Sequence, residues 1–190
     1  MNHAKNVQEE FATIDLLLPS NTLTGRTDAF ILAWVKIEKQ IRRIFTYVVY
    51  QSPAFSSKDD IIKIIASNPR LYFENFVKGF DALYPTPFDQ IIGSRYAKFM
   101  KDFARIKKYR NKILHGQLTG LALDAAKLTT EVELMREWVS LVAEKMCAEI
   151  GYDGVEPNAF RKSNVKNFSS RYNRNIQDAK DLKSFVAQFM

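Results

Sequence analysis

Between Lys107 and Gly116 the chain reads Lys-Lys-Tyr-Arg-Asn-Lys-Ile-Leu-His-Gly, and this run holds one of only two histidines in the sequence. An imidazole titrates at about 6.5, close to the pH at which most enzymes work, so His115 is a natural mover of protons. A guanidinium is planar and presents paired N–H donors, which suits it to a phosphate or another oxyanion. Arg110 and His115 together therefore point to acid–base chemistry at a phosphate. Asn111 stands between them as a hydrogen-bonding side chain that can orient either one.

The surroundings are cationic. From Arg95 to Lys112 there are eight basic residues (Arg95, Lys98, Lys101, Arg105, Lys107, Lys108, Arg110 and Lys112) and one acid, Asp102, a local charge of +7 that equals the formal net charge of the whole chain. Such a concentration attracts a phosphate backbone and makes binding fall steeply with salt. Cations near a helix C-terminus also offset the helix dipole with no ligand at all. Two arginines, Arg95 and Arg110, fall where the apolar period Phe88, Ile92, Phe99, Phe103, Ile106, Ile113 calls for a hydrophobic residue. A buried guanidinium needs a partner; for Arg95 an internal salt bridge or a snorkelling stem is the simpler expectation. One geometric constraint is plain. Five residues along an α-helix amount to about 7.5 Å of rise and about 140° of rotation, so Arg110 and His115 on one straight helix do not point the same way. Either the helix breaks near Gly116 or a second copy of the chain completes the site.

The elements that must position these residues read as helices. A first apolar face, Val7, Phe11, Ile14 and Leu18, predicts a helix over residues 7–18 that ends at Pro19. Thr27 or Asp28 can cap a long second helix to about Gln51, striped by Phe30, Trp34, Ile37, Ile41, Ile44 and Val48. Ser57 with Asp60 forms a capping box for a short helix to Ala66, and Pro69 separates it from another at about 71–83. Thr86-Pro87-Phe88-Asp89 is a start signal for a helix running to Leu114, with Gly116 free to take the left-handed turn that ends it. After a loop over 116–123, a helix over 124–150 carries Leu128, Val132, Met135, Val139, Val142 and Met146 and stops at Gly151. Residues 152–170 read as polar loop. A closing helix over 175–189 presents Ile176, Ala179, Leu182, Val186 and Phe189, and Phe185, Val186 and Phe189 are expected to pack on the bundle or on a partner chain. The expected fold is an all-α bundle, residues 1–150, with additional short helices and a C-terminal helical extension, residues 151–190. Phe30, Trp34, Ile37, Phe99, Phe103, Ile106, Val132, Met135 and Val139 are its predicted core.

Arg110-Asn111-Lys112-Ile113-Leu114-His115 resembles the Arg-x4-His motif of HEPN-superfamily ribonucleases, including the polar residue after the arginine and the following Gly116. The run from Ala33 to Arg42, with Trp34 and Glu38, looks like the aromatic-then-Glu long helix of such bundles. The resemblance covers about residues 27–150. It implies a metal-independent endoribonuclease without cofactors, acting as a homodimer in which two Arg-His motifs form one composite cleft. In that chemistry the RNA 2′-hydroxyl attacks its own phosphodiester. His115 moves protons, Arg110 holds the scissile phosphate, Asn111 orients one of them, and Lys107, Lys108 and Lys112 hold flanking phosphates. Tyr109 can stack a base or simply pack. Glu38 either pairs with Arg42 one turn on or positions Arg110 across the bundle. By family analogy alone, such an enzyme serves as a toxin or an antiviral-defence effector, with an antitoxin or regulatory protein as a further partner.

Composition sets outer bounds. At 190 residues and 46% hydrophobic content, with 24 aromatic side chains, the chain can bury a substantial core. A lone cysteine, Cys147, excludes an intrachain disulfide and a multi-cysteine zinc site and fits a reducing cytoplasm; it reads as buried filler. The uncharged stretch over 44–57 is too short to span a bilayer, and Glu9 and Glu10 argue against a signal peptide. His3 is assigned no role. Two other readings stand beside the ribonuclease: a non-catalytic HEPN-type module that binds RNA, a nucleotide or a protein, and an unrelated helical adaptor whose basic helix docks an acidic protein.

Overall fold

A computed structural model describes residues 3–20, 22–55, 57–68, 71–116, 123–165 and 172–189. Among these, every regular element is helical: α1 (His3–Leu17), α2 (Leu23–Tyr50), α3 (Lys58–Ala66), α4 (Phe73–Leu83), α5 (Phe88–Ile92), α6 (Arg95–Leu114), α7 (Ala125–Ile150) and α8 (Ala179–Ala187). The chain is an all-α bundle. No helix of the described residues is long and apolar enough to cross a membrane.

The local start signals explain most boundaries. Ser57 accepts from the Asp60 N–H at 3.3 Å and opens α3, and Asp124 accepts from the Lys127 N–H at 2.7 Å and opens α7. Gly151 (φ 75°) closes α7 in the left-handed conformation that only glycine enters without cost. Two starts differ from expectation. The cap of α2 is Thr22, whose hydroxyl accepts from the Gly25 N–H at 3.1 Å. Thr27 already lies inside the helix, where its hydroxyl donates to the Leu23 carbonyl one turn back. Thr86 caps nothing; its hydroxyl faces Glu149, and the Phe88 N–H at the head of α5 donates to Asp81 at 2.7 Å instead.

The largest correction is at Gly93. The single helix expected from residue 86 to 114 is two, because Gly93 adopts φ 78° and turns the chain between α5 and α6. This break resets the helical phase. Arg95 consequently leaves the apolar stripe and stands exposed, paired with Glu137 at 3.3 Å. The inward face of α6 becomes Phe99, Phe103, Ile106 and Tyr109.

Around the long α2, the packing is layered. α7 runs parallel to it, as the pairs Arg26–Thr129, Gln40–Val139 and Tyr47–Ile150 show. α6 is antiparallel to α7: Arg105 meets Glu131 and Phe99 stacks on Trp138 at 3.5 Å between ring centroids. α1 is fastened across α2 and α7 by Glu10, which accepts from Lys36 and Lys39, and by an Asp15–Arg136 ion pair. All nine predicted core residues are buried.

Residues 151–165 and 172–189 belong to the same core. Tyr152, Val155, Ile176, Leu182, Phe185 and Val186 are buried in contact with the bundle, so residue 150 marks the end of a helix rather than a gap in packing. The irregular backbone is satisfied by buried side chains. Gln40 donates to the Asp153 carbonyl, Gln51 accepts from the Ser163 N–H, and the fully buried Asp153 accepts from Asn6 and from the Val155 and Glu156 N–H groups. α8 is shorter than expected because Asp178 caps it, and Phe189 is half-buried edge-on to Phe185.

Candidate functional site

His115 caps the C-terminal end of α6, one residue after Leu114. Its N–H donates to the Asn111 carbonyl at 3.1 Å, and Gly116 then takes φ 66° with its N–H on the Ile113 carbonyl. The imidazole is exposed. One face of α6, formed by Ala104, Lys107, Lys108, Asn111, Lys112 and His115, lines a shallow groove of about 390 Å³. These positions follow the 3–4 spacing of a single helical face. The structure thus brings together five of the sequence-predicted residues: His115, Asn111, Lys107, Lys108 and Lys112.

Arg110 lies on a different face. Its guanidinium stands 5.8 Å from the centre of the Trp34 ring, which also stacks near-parallel on Phe103 at 4.7 Å. Arg110 is linked to the groove through Asn111, whose side-chain oxygen accepts from Arg110 Nη1 at 3.0 Å. Asn111 therefore sits between the two as a bridge, and the angular separation expected for a five-residue spacing is present in the folded chain.

Tyr109 faces the core, 8% exposed, with Lys127 Nζ 5.2 Å from its ring. Its ring is occupied by packing, so it offers no open face to a base. Glu38 is half-buried and pairs with neither Arg42 nor Arg110 among the described residues; Arg42 stands over Phe76 instead. Cys147 is half-buried on α7, far in sequence and helix from the groove. His3 lines a larger cleft of about 620 Å³ with α7, where Arg95 and Arg136 already meet acidic partners.

The positive charge of α6 is smaller than its sequence suggests. Arg105 is held by both oxygens of Glu131 (2.8 and 2.9 Å) and by Asp102 at 2.7 Å. Hydrogen bonds from this guanidinium to Glu131 raise its pKa further, keeping it charged at any working pH. Lys107 donates to Glu74 at 2.6 Å and Arg95 to Glu137. Counted along the whole of α6, eight cations stand against four carboxylates, an excess of four positive charges, and three of the cations, Lys107, Lys108 and Lys112, line the groove. Glu131 was the partner that sequence reading missed. Its signal was present: a carboxylate one residue before Val132 in the inward stripe of α7 must meet a cation from a neighbouring helix. Among the described residues, no group of three or more His, Cys, Asp or Glu side chains is placed to hold a metal ion.

Comparison with protein-family models, with curated proteins and with solved structures finds no match to this chain.

Proposed function

We propose that the chain is a metal-independent endoribonuclease of HEPN type, with its reacting groups at the C-terminal end of α6. The observation that carries this reading is the single groove in which an exposed imidazole, His115, shares a helical face with Asn111 and three lysines. Lysines bind phosphates as point charges, and an imidazole beside a bound phosphodiester can take the proton of the 2′-hydroxyl. The 2′-oxygen then bonds to phosphorus, the bond from phosphorus to the 5′-oxygen breaks, and that oxygen leaves with a proton. The products are a 2′,3′-cyclic phosphate and a 5′-hydroxyl. A guanidinium spanning two phosphate oxygens stabilises the charge that develops on them. Arg110 meets this need from a second copy, or after leaving Trp34 with Asn111 as its guide.

Full-length protein incubated with end-labelled RNA in excess chelator tests the reading. Cleavage that leaves cyclic phosphate ends and is lost in His115→Ala supports it. Products ending in a 3′-hydroxyl, or activity that vanishes with chelator, overturn the mechanism.

The seating of Arg110 on Trp34, outside the groove, favours a second reading: a module that holds RNA phosphates through its lysines and does not cleave. RNA bound but intact in the same assay selects it.

A further inference from the structure

A second lysine-lined groove lies between α3 and α8. It measures about 610 Å³ and is lined by Asp60, Lys63, Ser67 and Asn68 on one side and by Lys180 and Lys183 on the other, over an apolar floor. None of these three lysines has an ion-pair partner among the described residues. Asp60 is the one acid in the lining. A groove with three cations against one carboxylate, carrying the Asn68 amide as a further donor, is chemically a site for an extended polyanion.

Its place relative to α6 matters more than its charge. α3 leads within four residues of chain, at most about 14 Å, from Asn68 to Tyr72 at the head of α4. Two residues further on, Glu74 holds Lys107, which lines the α6 groove. Asn75, next again, donates to the Phe189 carbonyl at the C-terminal end of α8. The head of α4 therefore bonds to a lining residue of one groove and to the end of the helix that lines the other. Standing there is Tyr72, 51% exposed and among the most exposed large aromatic side chains of the molecule. Its backbone is fixed by a 3.1 Å bond to Asn75, so the ring is presented from a rigid helix start. Lysine-lined grooves linked through a helix start that carries an exposed aromatic offer what a single-stranded nucleic acid uses: cations for its phosphates and a ring for a base.

We propose that single-stranded RNA held at the α6 groove continues across Tyr72 into the α3–α8 groove, where Lys63, Lys180 and Lys183 bind its distal phosphates. This inference rests on the α6 face being an RNA site. It gives the C-terminal helix a role in substrate grip, and it makes Tyr72, not Tyr109, the base-stacking aromatic.

The test is equilibrium binding of the full chain to 2′-O-methyl oligouridines, which cannot undergo 2′-hydroxyl attack. Lengths of about six and about twenty nucleotides fall near the lower end of, and beyond, the roughly 4–16 nucleotides covered by one single-strand-binding fold. Combined Lys63→Gln, Lys180→Gln and Lys183→Gln should weaken the long oligomer about tenfold or more and leave the short one within about twofold. The salt dependence for the long oligomer should flatten by about two in slope, since each phosphate contact contributes about 0.7 for single strands. Tyr72→Ala should weaken the long oligomer by a further several-fold, with Tyr72→Phe retaining wild-type affinity because the ring, not the hydroxyl, carries the stack. All four side chains are replaced at the surface, so unchanged thermal melting confirms that the fold is intact. If the lysine variant weakens both lengths equally, or neither, the extended track is wrong while the α6 site stands. If wild-type protein binds neither oligomer, the α6 reading fails and this one with it.

Discussion

At the residue scale, the folded chain sets His115 and Arg110 in different surroundings. His115 is exposed at a helix end, and among the described residues its imidazole has no hydrogen bond or ion pair. His115→Ala should therefore leave melting temperature unchanged, abolish cleavage, and alter RNA affinity little, because a neutral imidazole adds little attraction for phosphate. Arg110 is different. Its removal deletes a cation–π contact with Trp34 and the bond to Asn111, together worth about 1 kcal/mol at a half-exposed position. Arg110→Ala should weaken both cleavage and affinity at that modest cost in stability. Arg110→Lys should recover affinity but not rate, since an ammonium lacks the planar fork that spans two oxygens. A loss of several kcal/mol in Arg110→Ala, read by denaturant unfolding, would instead make Arg110 a structural residue and sink its catalytic assignment.

At the element scale, the break at Gly93 decides which side of α6 faces outward. Gly93 holds φ 78° and ψ −154° with open space where a Cβ would stand, so Gly93→Ala meets no clash and costs only a backbone conformation essentially confined to glycine, about 1–3 kcal/mol in unfolding free energy. A stabilised variant would show that the turn is not needed. α1 is secured by charge. Burial pushes the Glu10 carboxyl up, but hydrogen bonds from Lys39 and Lys36, and their charges, outweigh it and hold the group below its ordinary value. A depressed carboxyl contributes stability that is present above the ordinary carboxylate range and is lost as pH falls through the folded value. Melting of the wild type should thus fall on acidification more steeply than that of Glu10→Gln, in which Lys36 and Lys39 face no charge to titrate; parallel curves would remove Glu10 as the clasp. These elements also show what the sequence made legible. Ser57 and Asp124 cap as their types require, and Gly116 and Gly151 end their helices, because each acts within one turn of its own chain. Gly93 was silent, since the apolar period runs straight through it, and that silence wrongly placed Arg95 in the stripe. Residues 152–165 look like solvated loop, yet Gln40, Gln51 and Asp153 satisfy their backbone from inside. Only side chains distant in sequence could reveal that burial. At the candidate site, the common face of Lys107, Lys108, Asn111, Lys112 and His115 follows from helical spacing and was readable. The loss of charge to Glu74 was not, because that partner comes from α4; Glu131 left a signal beside Val132, but nothing in the sequence says which cation it meets.

At the scale of the whole molecule, one chain presents Arg110 and His115 on two faces of one helix, joined by Asn111. If both groups act on one phosphate, a two-fold pair of chains is the simplest way to bring them together, because symmetry places each α6 end against its copy. Exposed Leu114 and half-buried Ile113, beside His115, are apolar residues that such a contact would cover. The prediction is complementation between two dead proteins. Arg110→Ala and His115→Ala chains, each inactive alone, should regain cleavage when unfolded together and refolded as a mixture. In a mixed dimer one site lacks both groups, while the other takes Arg110 from one chain and His115 from its partner. With random pairing half the dimers are mixed and each has one working site, so about a quarter of wild-type activity should return. Light scattering on the mixture must show dimers for the experiment to count. Mixed dimers with no recovered activity would mean that each chain uses its own arginine and histidine, and a strict monomer with full wild-type activity would remove the two-fold site altogether.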